Sequence, residues 1–586
     1  MTIGVLHKSP AIDTPKQLSI ALSECAHRIE FEVSLVLKND HEKGISSLRS
    51  DLQLIPHHYS DTEVSTLYAQ TIIYTVFTIR WSLQGDLIHY EQITSLINFV
   101  SADINRLLNS LLSPTSGSPL DQELKTLIMI LNGVDLERVF SEVQDPILYF
   151  YETFLSIHCA QNRKFRGVYY TPKEVISTII MQVHDLLKEE FKLPLGLADS
   201  STWAEFSSRS SFSLDTDIDR EARFVKILDP ATGTGSFLLN VIEVIYEVVQ
   251  TELNDQNLDH SSTHAKWCHY VSTELLPRLH GYEISFTPYI IAHIRLGLWL
   301  SKSGFTFHED EILNLELVNA LEVPQHCQLS SKHKFSVIVG NPPYSVNSSN
   351  MSQHLKNFID RYRFFTEQKI QEKGALMFER ALQNDYVKFI RLSEILSSSI
   401  GAIIGLVTSH SYLMGNSYRG LRESLCKDSF NLHYITDLHG NIAEGIYRDE
   451  NIFDITEGIA ILIAAQLSWR NQRRSYFQEL IGSRDHKLKC LGDHNHKQRY
   501  QQIYPKETNQ YSFCPAEHNT HDLGFDTWPA LHEIFTHYSS GVISARDQFS
   551  TDTNKARLHE RMKRFVRSKN KSNTLLTMRW TVLHDL

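Results

Sequence analysis

Three short segments carry residue types whose order suits group-transfer chemistry. Asp229-Pro-Ala-Thr-Gly-Thr-Gly-Ser-Phe237 sets an acid ahead of Gly233 and Gly235, two residues that let the main chain approach a ligand closely. No Gly-Lys-Ser/Thr follows, so the segment is not a phosphate-binding P-loop, and the third glycine of the dinucleotide fingerprint is missing. An acid in this place suits a ligand with a cationic group. Gly281-Tyr-Glu283 offers a carboxylate able to accept both hydroxyls of a ribose. Asn341-Pro-Pro-Tyr344 is the most specific of the three. Two consecutive prolines fix φ and remove two N–H donors, leaving carbonyls that only accept. Asn341 adds an amide oxygen and Tyr344 a flat aromatic face, so the corner suits a planar group bearing an NH₂.

These segments need a scaffold that gathers strand ends. Each follows a short apolar run read as a buried strand, at residues 224–228, 279–282 and 335–339. Helical periodicity follows at 238–249 and 288–300, and further strands are expected at 402–407, 433–437 and 458–464. Alternation of this kind predicts a parallel α/β sheet, which binds ligands at its carboxyl edge. Residues before about Leu155 read as helical instead, with Ala69, Ile72, Ile73, Val76 and Phe77 on one stripe. The polar stretches 198–214 and 251–262 are expected to be surface insertions. Polar residues dominate after Ser468, and the last segment is basic, with Lys555, Arg557, Arg561, Lys563, Arg564 and Arg567 close together.

The 586 residues suffice for three or four domains of ~150 residues. A hydrophobic content of 42% excludes disorder as the main state. No apolar run approaches the ~18 residues that cross a bilayer, and the N-terminus lacks the apolar core of a secretory leader. Seven scattered cysteines without a CxxC pair predict reduced thiols and a cytoplasmic protein. A net charge of −11 excludes nucleic-acid binding by the whole surface but leaves room for a local basic face. Cys490, His494 and His496 match no standard zinc spacing, so no metal is expected.

The ordered set of segments resembles S-adenosylmethionine-dependent DNA adenine-N6 methyltransferases of the gamma class. Gly167-Val-Tyr-Tyr-Thr-Pro172 is similar to their leading motif, DPATGTGSF to their methionine loop and NPPY to their catalytic tetrad. More closely, the chain resembles the methylase part of type ISP and type IIG restriction-modification enzymes. Tyr386-Val-Lys-Phe-Ile-Arg391, Ser417-Tyr-Arg-Gly-Leu-Arg422, Asp437-Leu-His-Gly-Asn441 and Asp449-Glu-Asn-Ile-Phe-Asp454 carry that likeness.

The resemblance implies a Rossmann-like, seven-stranded methyltransferase sheet in residues 161–470. A helical N-terminal domain (1–160) would precede it, and a linker with a truncated target-recognition region (471–586) would follow. It further implies S-adenosylmethionine as cofactor. Tyr170, Thr171 and Pro172 would line its methionine end, and Asp229 would hold its amino group above Ala231, Gly233, Gly235 and Phe237. Glu283 would grip the ribose, and Asn319 would lie near the adenine ring. Asn341, Pro342, Pro343 and Tyr344 would receive a flipped adenine from double-stranded DNA, with Phe453 as a second aromatic. Hydrogen bonds from the amino group to the Asn341 side chain and the Pro342 carbonyl would turn the nitrogen lone pair toward the methyl, with no general base needed beforehand.

No nuclease or translocase is visible ahead of the methylase, and the recognition region stops soon after residue 547. A separate specificity or nuclease subunit, and weak salt-sensitive DNA binding, are therefore expected, with no membrane partner. Two other readings belong to different classes: a non-catalytic DNA-recognition subunit, and an RNA or protein-amide methyltransferase presenting a similar corner.

Overall fold

The computed structural model describes residues 12–43, 59–143, 145–158, 171–210, 218–256, 259–326, 334–344, 353–371, 375–441, 445–446, 448–453, 455–493 and 499–515. It also describes 534, 552 and 554–567. By its contacts the chain divides into Met1–Pro515 and Ala516–Leu586.

The first unit is built on a nine-stranded sheet. Its strands are β1 Ile227–Asp229, β2 Leu279–Glu283, β3 Asn314–Leu317 and β4 Val337–Gly340. A small hairpin, β5 Phe364–Phe365 and β6 Gln368–Lys369, stands apart. Then come β7 Gly401–Ser409, β8 Leu432–Asp437, β9 Ile459–Leu467, β10 Arg474–Glu479 and β11 Gln501–Ile503. The order across the sheet is β11-β10-β8-β9-β7-β4-β1-β2-β3. From β3 to β7 the neighbours are parallel, while β9 runs antiparallel between β7 and β8. This is the Rossmann-like sheet expected of seven strands, enlarged at one edge by β10 and β11. Those two were not foreseen because each carries only half of a buried pattern. In β10, Ser475 and Phe477 face inward while Arg474 and Tyr476 stay half-buried.

The strand interiors explain why the sheet sits in the middle. Both β7 (GAIIGLVTS) and β9 (IAILIAAQL) are apolar along nearly their whole length, as strands covered on both faces require. Alternation then sorts side chains between two cores. Val337, Val339, Ile403 and Val407 enter one, and Ile338, Ile404 and Leu406 enter the other.

The first core also holds the N-terminal helices. Asp61–Ser82 begins with a capping box between Ser60 and Glu63 and is buried on almost every side, as its broad apolar surface demands. Residues before and after position 160 share this core: Thr287 Oγ1 donates to Gln70 Oε1 (3.1 Å), and Arg295 pairs with Asp145 (2.6 Å).

Two expected insertions are more ordered than their composition suggested. Trp203–Ser210 forms a helix whose Phe206 stacks on Phe224 at 3.9 Å. The helix Ser236–Asp255 continues into the second polar stretch, and His260–Tyr270 follows it. Burying Phe206 and Trp267 outweighs the polar surroundings. Among the described residues no helix is long and apolar enough to cross a membrane.

In the second unit, Lys555–Arg567 is a helix capped by Asn554, whose Oδ1 accepts from Ala556 N at 2.9 Å. Arg561 pairs with Asp552 (2.5 Å).

Candidate active site

The chain runs outward from β1 to β2 and β3, then returns to place β4 on the other side of β1. The strand order reverses there, so a crevice opens at the carboxyl ends of β1 and β4. Asp229 ends β1, Glu283 ends β2, and Asn341 follows β4.

The turn after β1 closes on itself. Asp229 Oδ1 accepts from Ala231 N (3.0 Å), and Thr232 Oγ1 donates to the Asp229 carbonyl (3.0 Å). Gly233 and Gly235 adopt φ of +54° and +81°, the left-handed region that a side chain would strain, and Gly235 caps the helix Ser236–Asp255. Phe237, in its first turn, is buried in the core. Glu283 ties this turn to the next strand. Its carboxylate accepts from Gly233 N (2.8 Å) and Ser285 N (2.7 Å). Asn319 lies just past β3, where Oδ1 accepts from Leu321 N at 3.2 Å.

Asp229 is 1% exposed, and its Oδ2 has no hydrogen-bond partner among the described residues. Burial pushes its carboxyl up to about 8, the Ala231 N–H opposes the shift, and the charge of Glu283 adds to it. A buried, half-satisfied acid of this kind accommodates a cationic group, which would restore the carboxylate. The donor set and the bare glycine turn therefore fit the amino-acid end of an S-adenosylmethionine-like molecule.

The segment Asn341–Tyr344 comes to the same place. Gly340 is pressed against Asp229, since a Cβ there would stand 2.7 Å from Oδ1. One residue on, Asn341 Nδ2 donates to Thr171 Oγ1 (2.9 Å), while its Oδ1 accepts from the Tyr344 hydroxyl (3.1 Å). Pro342 is buried, and Pro343 and Tyr344 are half-buried. Burial, then the charges of Glu457 and Tyr412, hold the Tyr344 hydroxyl well above its ordinary value, so it remains a donor. Its ring lies 6.2 Å from that of Tyr386, whose hydroxyl meets Ser411 Oγ at 3.3 Å.

Thr171 and Pro172 are buried beside this corner, while Tyr170 lies outside the described residues. Phe453 is 4% exposed, within the same core against which Tyr344 packs. Cys490 contacts His486 (3.7 Å), and its sequence companions His494 and His496 lie outside the described residues.

Sequence reasoning missed the Thr171–Asn341 bond and the Gly340–Asp229 contact. Of the two, only the second left a signal, a glycine closing an otherwise bulky strand.

Fold and site together define a Rossmann-like sheet with a ligand crevice at the carboxyl ends of β1 and β4. Residues 280–442 match the Eco57I restriction-modification methylase family model. A type II methyltransferase of Geobacillus stearothermophilus, M.BstVI, is 26% identical over 226 residues, 38% of this chain and 35% of that protein. The ATP-dependent type ISP restriction-modification enzyme LlaBIII, solved bound to DNA, superposes with a TM-score of 0.65 at 20% identity. The match covers 94% of this chain and 36% of that one. The DrdV–DNA complex gives 0.61 at 19% identity, over 96% and 53%. The chain thus spans between about a third and a half of the length of these relatives.

Proposed function

We propose that this chain is the modification part of a restriction-modification system and methylates the N6 amino group of adenine in DNA. One observation carries the reading. Asn341 is anchored through its amide nitrogen, with its oxygen turned toward Tyr344, and it follows directly on Gly340, which rests on Asp229. An acceptor for an amino group and an acid for a ligand's cation thus share one crevice.

S-adenosylmethionine, when bound, supplies an electrophilic sulfonium methyl. Asp229 would hold its amino group, with Ala231, Gly233, Gly235 and Phe237 forming the turn beneath. Thr171 and Pro172, preceded by Tyr170, would border the methionine end. Glu283 would accept the ribose hydroxyls, and Asn319 would lie by the purine. On the substrate side, Asn341 Oδ1 and the Pro342 carbonyl would accept both amino hydrogens, which turns the nitrogen lone pair outward. Pro343 stiffens the corner. Tyr344 would stack on the base, with Phe453 in the core behind it. The adenine must leave the duplex to reach this corner, at a cost of a few kcal/mol. Orientation and electrostatic complementarity are then the main contributions of the protein.

The same reading makes the N-terminal helices (1–160) a scaffold for the catalytic part (161–470). Residues 471–586 would form a linker and target-recognition region that works with a separate specificity or nuclease subunit. Two structural neighbours solved with DNA support DNA as the substrate.

The test is transfer of tritiated methyl from S-adenosylmethionine to duplex DNA by the whole chain, followed by digestion and nucleoside chromatography. Label is expected in N6-methyladenine, and Asn341→Ala should keep cofactor binding while losing at least ~100-fold in transfer. Label in RNA or protein alone, or full activity of the variant, would overturn the proposal.

A further inference from the structure

A second cluster of chemically competent side chains lies at the carboxyl ends of β7, β8 and β10. His410 follows β7, Asp437 ends β8, His439 comes two residues later, and Glu479 ends β10. His410 Nδ1 is 3.2 Å from Asp437 Oδ1, and His439 Nε2 is 3.8 Å from Asp437 Oδ2 and 3.1 Å from Glu479 Oε2. The ligating atoms of His410, Asp437 and His439 all lie within 4.8 Å of one another.

We propose that His410, Asp437, His439 and Glu479 bind one divalent transition-metal cation, zinc by the character of the donors, which clasps three strand ends beside the catalytic corner.

Three features support a cation rather than a chain of hydrogen bonds. Donors bound to zinc at ~2.0–2.2 Å in a tetrahedron stand about 3.3–3.6 Å apart, close to the 3.2, 3.8 and 3.1 Å that separate the His410–Asp437, Asp437–His439 and His439–Glu479 pairs. The two imidazole planes cross at 79° with centroids 6.1 Å apart, so their ring nitrogens approach a common point from different directions. The other histidine pair shows the contrast. The ligating atoms of His27, Glu30 and His158 also lie within 4.8 Å of one another, but there the two rings stack at 4.5 Å and 25°, and His27 is exposed.

The surroundings fit as well. His439 sits in the left-handed region at φ +48°, followed by Gly440 at +82°, a strained turn that aims the imidazole back at the strand end. Asp437 Oδ1 accepts from His439 N (2.9 Å), which fixes the carboxylate. His410 Nε2 faces the Asn441 amide at 3.4 Å. That amide can present its oxygen to an Nε2–H, as the outer partner of a metal-bound imidazole does. Two imidazoles and two carboxylates are borderline-to-hard donors, which select zinc over copper(I) or calcium.

The experiment uses the full chain, freed of any affinity tag, stripped with a chelator and titrated with Co²⁺ and then Zn²⁺. One equivalent of Co²⁺ with the intense visible bands of tetrahedral coordination is expected, displaced by Zn²⁺. The thermal midpoint should rise by several degrees with Zn²⁺. His439→Gln and Glu479→Gln, at a largely buried and an exposed position, should lose the bands and the thermal shift while keeping the far-ultraviolet circular dichroism of the fold. His27→Gln should change neither. Equal binding by wild type and His439→Gln, or loss of binding in His27→Gln, overturns the proposal. None of these readouts involves methyl transfer, so the outcome stands apart from the proposed function.

Discussion

Asn341 and Thr171, 170 positions apart in the chain, are joined by a 2.9 Å hydrogen bond from the amide nitrogen to the threonine hydroxyl. The bond fixes which end of the amide faces Tyr344 and leaves the oxygen as the acceptor there. Thr171→Val keeps the shape and removes the anchor. Transfer is expected to fall ~10–100-fold, with cofactor affinity changed far less, while Thr171→Ser stays near wild type. Single-turnover methylation alongside cofactor titration separates the two effects.

Asp229 sets a pH dependence whose sign is fixed. Its folded pKa of about 8 lies above its ordinary value of 3.8, so the fold holds a proton that the unfolded chain releases. The contribution to stability is fully present below the ordinary value, falls as pH rises toward 8, and is flat beyond. Each pH unit in that window removes at most ~1.4 kcal/mol. Urea denaturation of the ligand-free protein across the window should show this slope in wild type and a shallower one in Asp229→Asn. Cofactor affinity should run the other way, rising up to tenfold per unit toward pH 8, because a cation requires the ionised acid.

Gly340→Ala would put a methyl 2.7 Å from Asp229 Oδ1 in the middle of the sheet. A loss of ~1–3 kcal/mol is expected, together with weaker cofactor binding. Equilibrium unfolding and titration calorimetry measure the two consequences.

Lys487 is fully buried. Its ammonium donates to the carbonyls of Leu438 (2.7 Å) and Glu450 (2.6 Å) and pairs with Asp449 (2.6 Å). Burial works to raise the Asp449 carboxyl, but hydrogen bonds from Lys487 and from the Gly482 and Gly440 N–H groups hold it below the usual range. Lys487→Met strands that carboxylate and should cost ~3–5 kcal/mol, part of which Lys487→Met/Asp449→Asn recovers. Chemical denaturation of the single and double variants tests this.

DNA binding by this chain is expected to be weak and steeply dependent on salt. Changing Lys555, Arg557 and Lys563 to Gln together should reduce the slope of log affinity against log salt by about one per residue that touches a phosphate. Fluorescence anisotropy over a salt series provides the slopes.

Much of this architecture could be read from the amino acids alone, for physical reasons. The three motifs end apolar runs, and a run buried on both faces stands out whatever surrounds it, as in β7 and β9. Edge strands lack that signature. Within β3 only Leu315 and Leu317 alternate with polar neighbours, so the strand that places Asn319 went unseen. The anchoring of Asn341 by Thr171 was hidden for another reason, because a contact between distant positions leaves no periodicity. The His410–Asp437–His439 group was hidden likewise, its members lying in separate, ordinary-looking stretches.

Gly297, on the helix Phe286–Lys302, lies bare against the Phe99 carbonyl, with no side chain between the two backbones. Two surfaces moulded to that closeness tolerate no spacer. Anyone building chimaeras from this protein should therefore cut elsewhere: trimming away the leading helices would leave the helix Phe286–Lys302 unsupported, and a foreign replacement would have to reproduce that fit atom for atom.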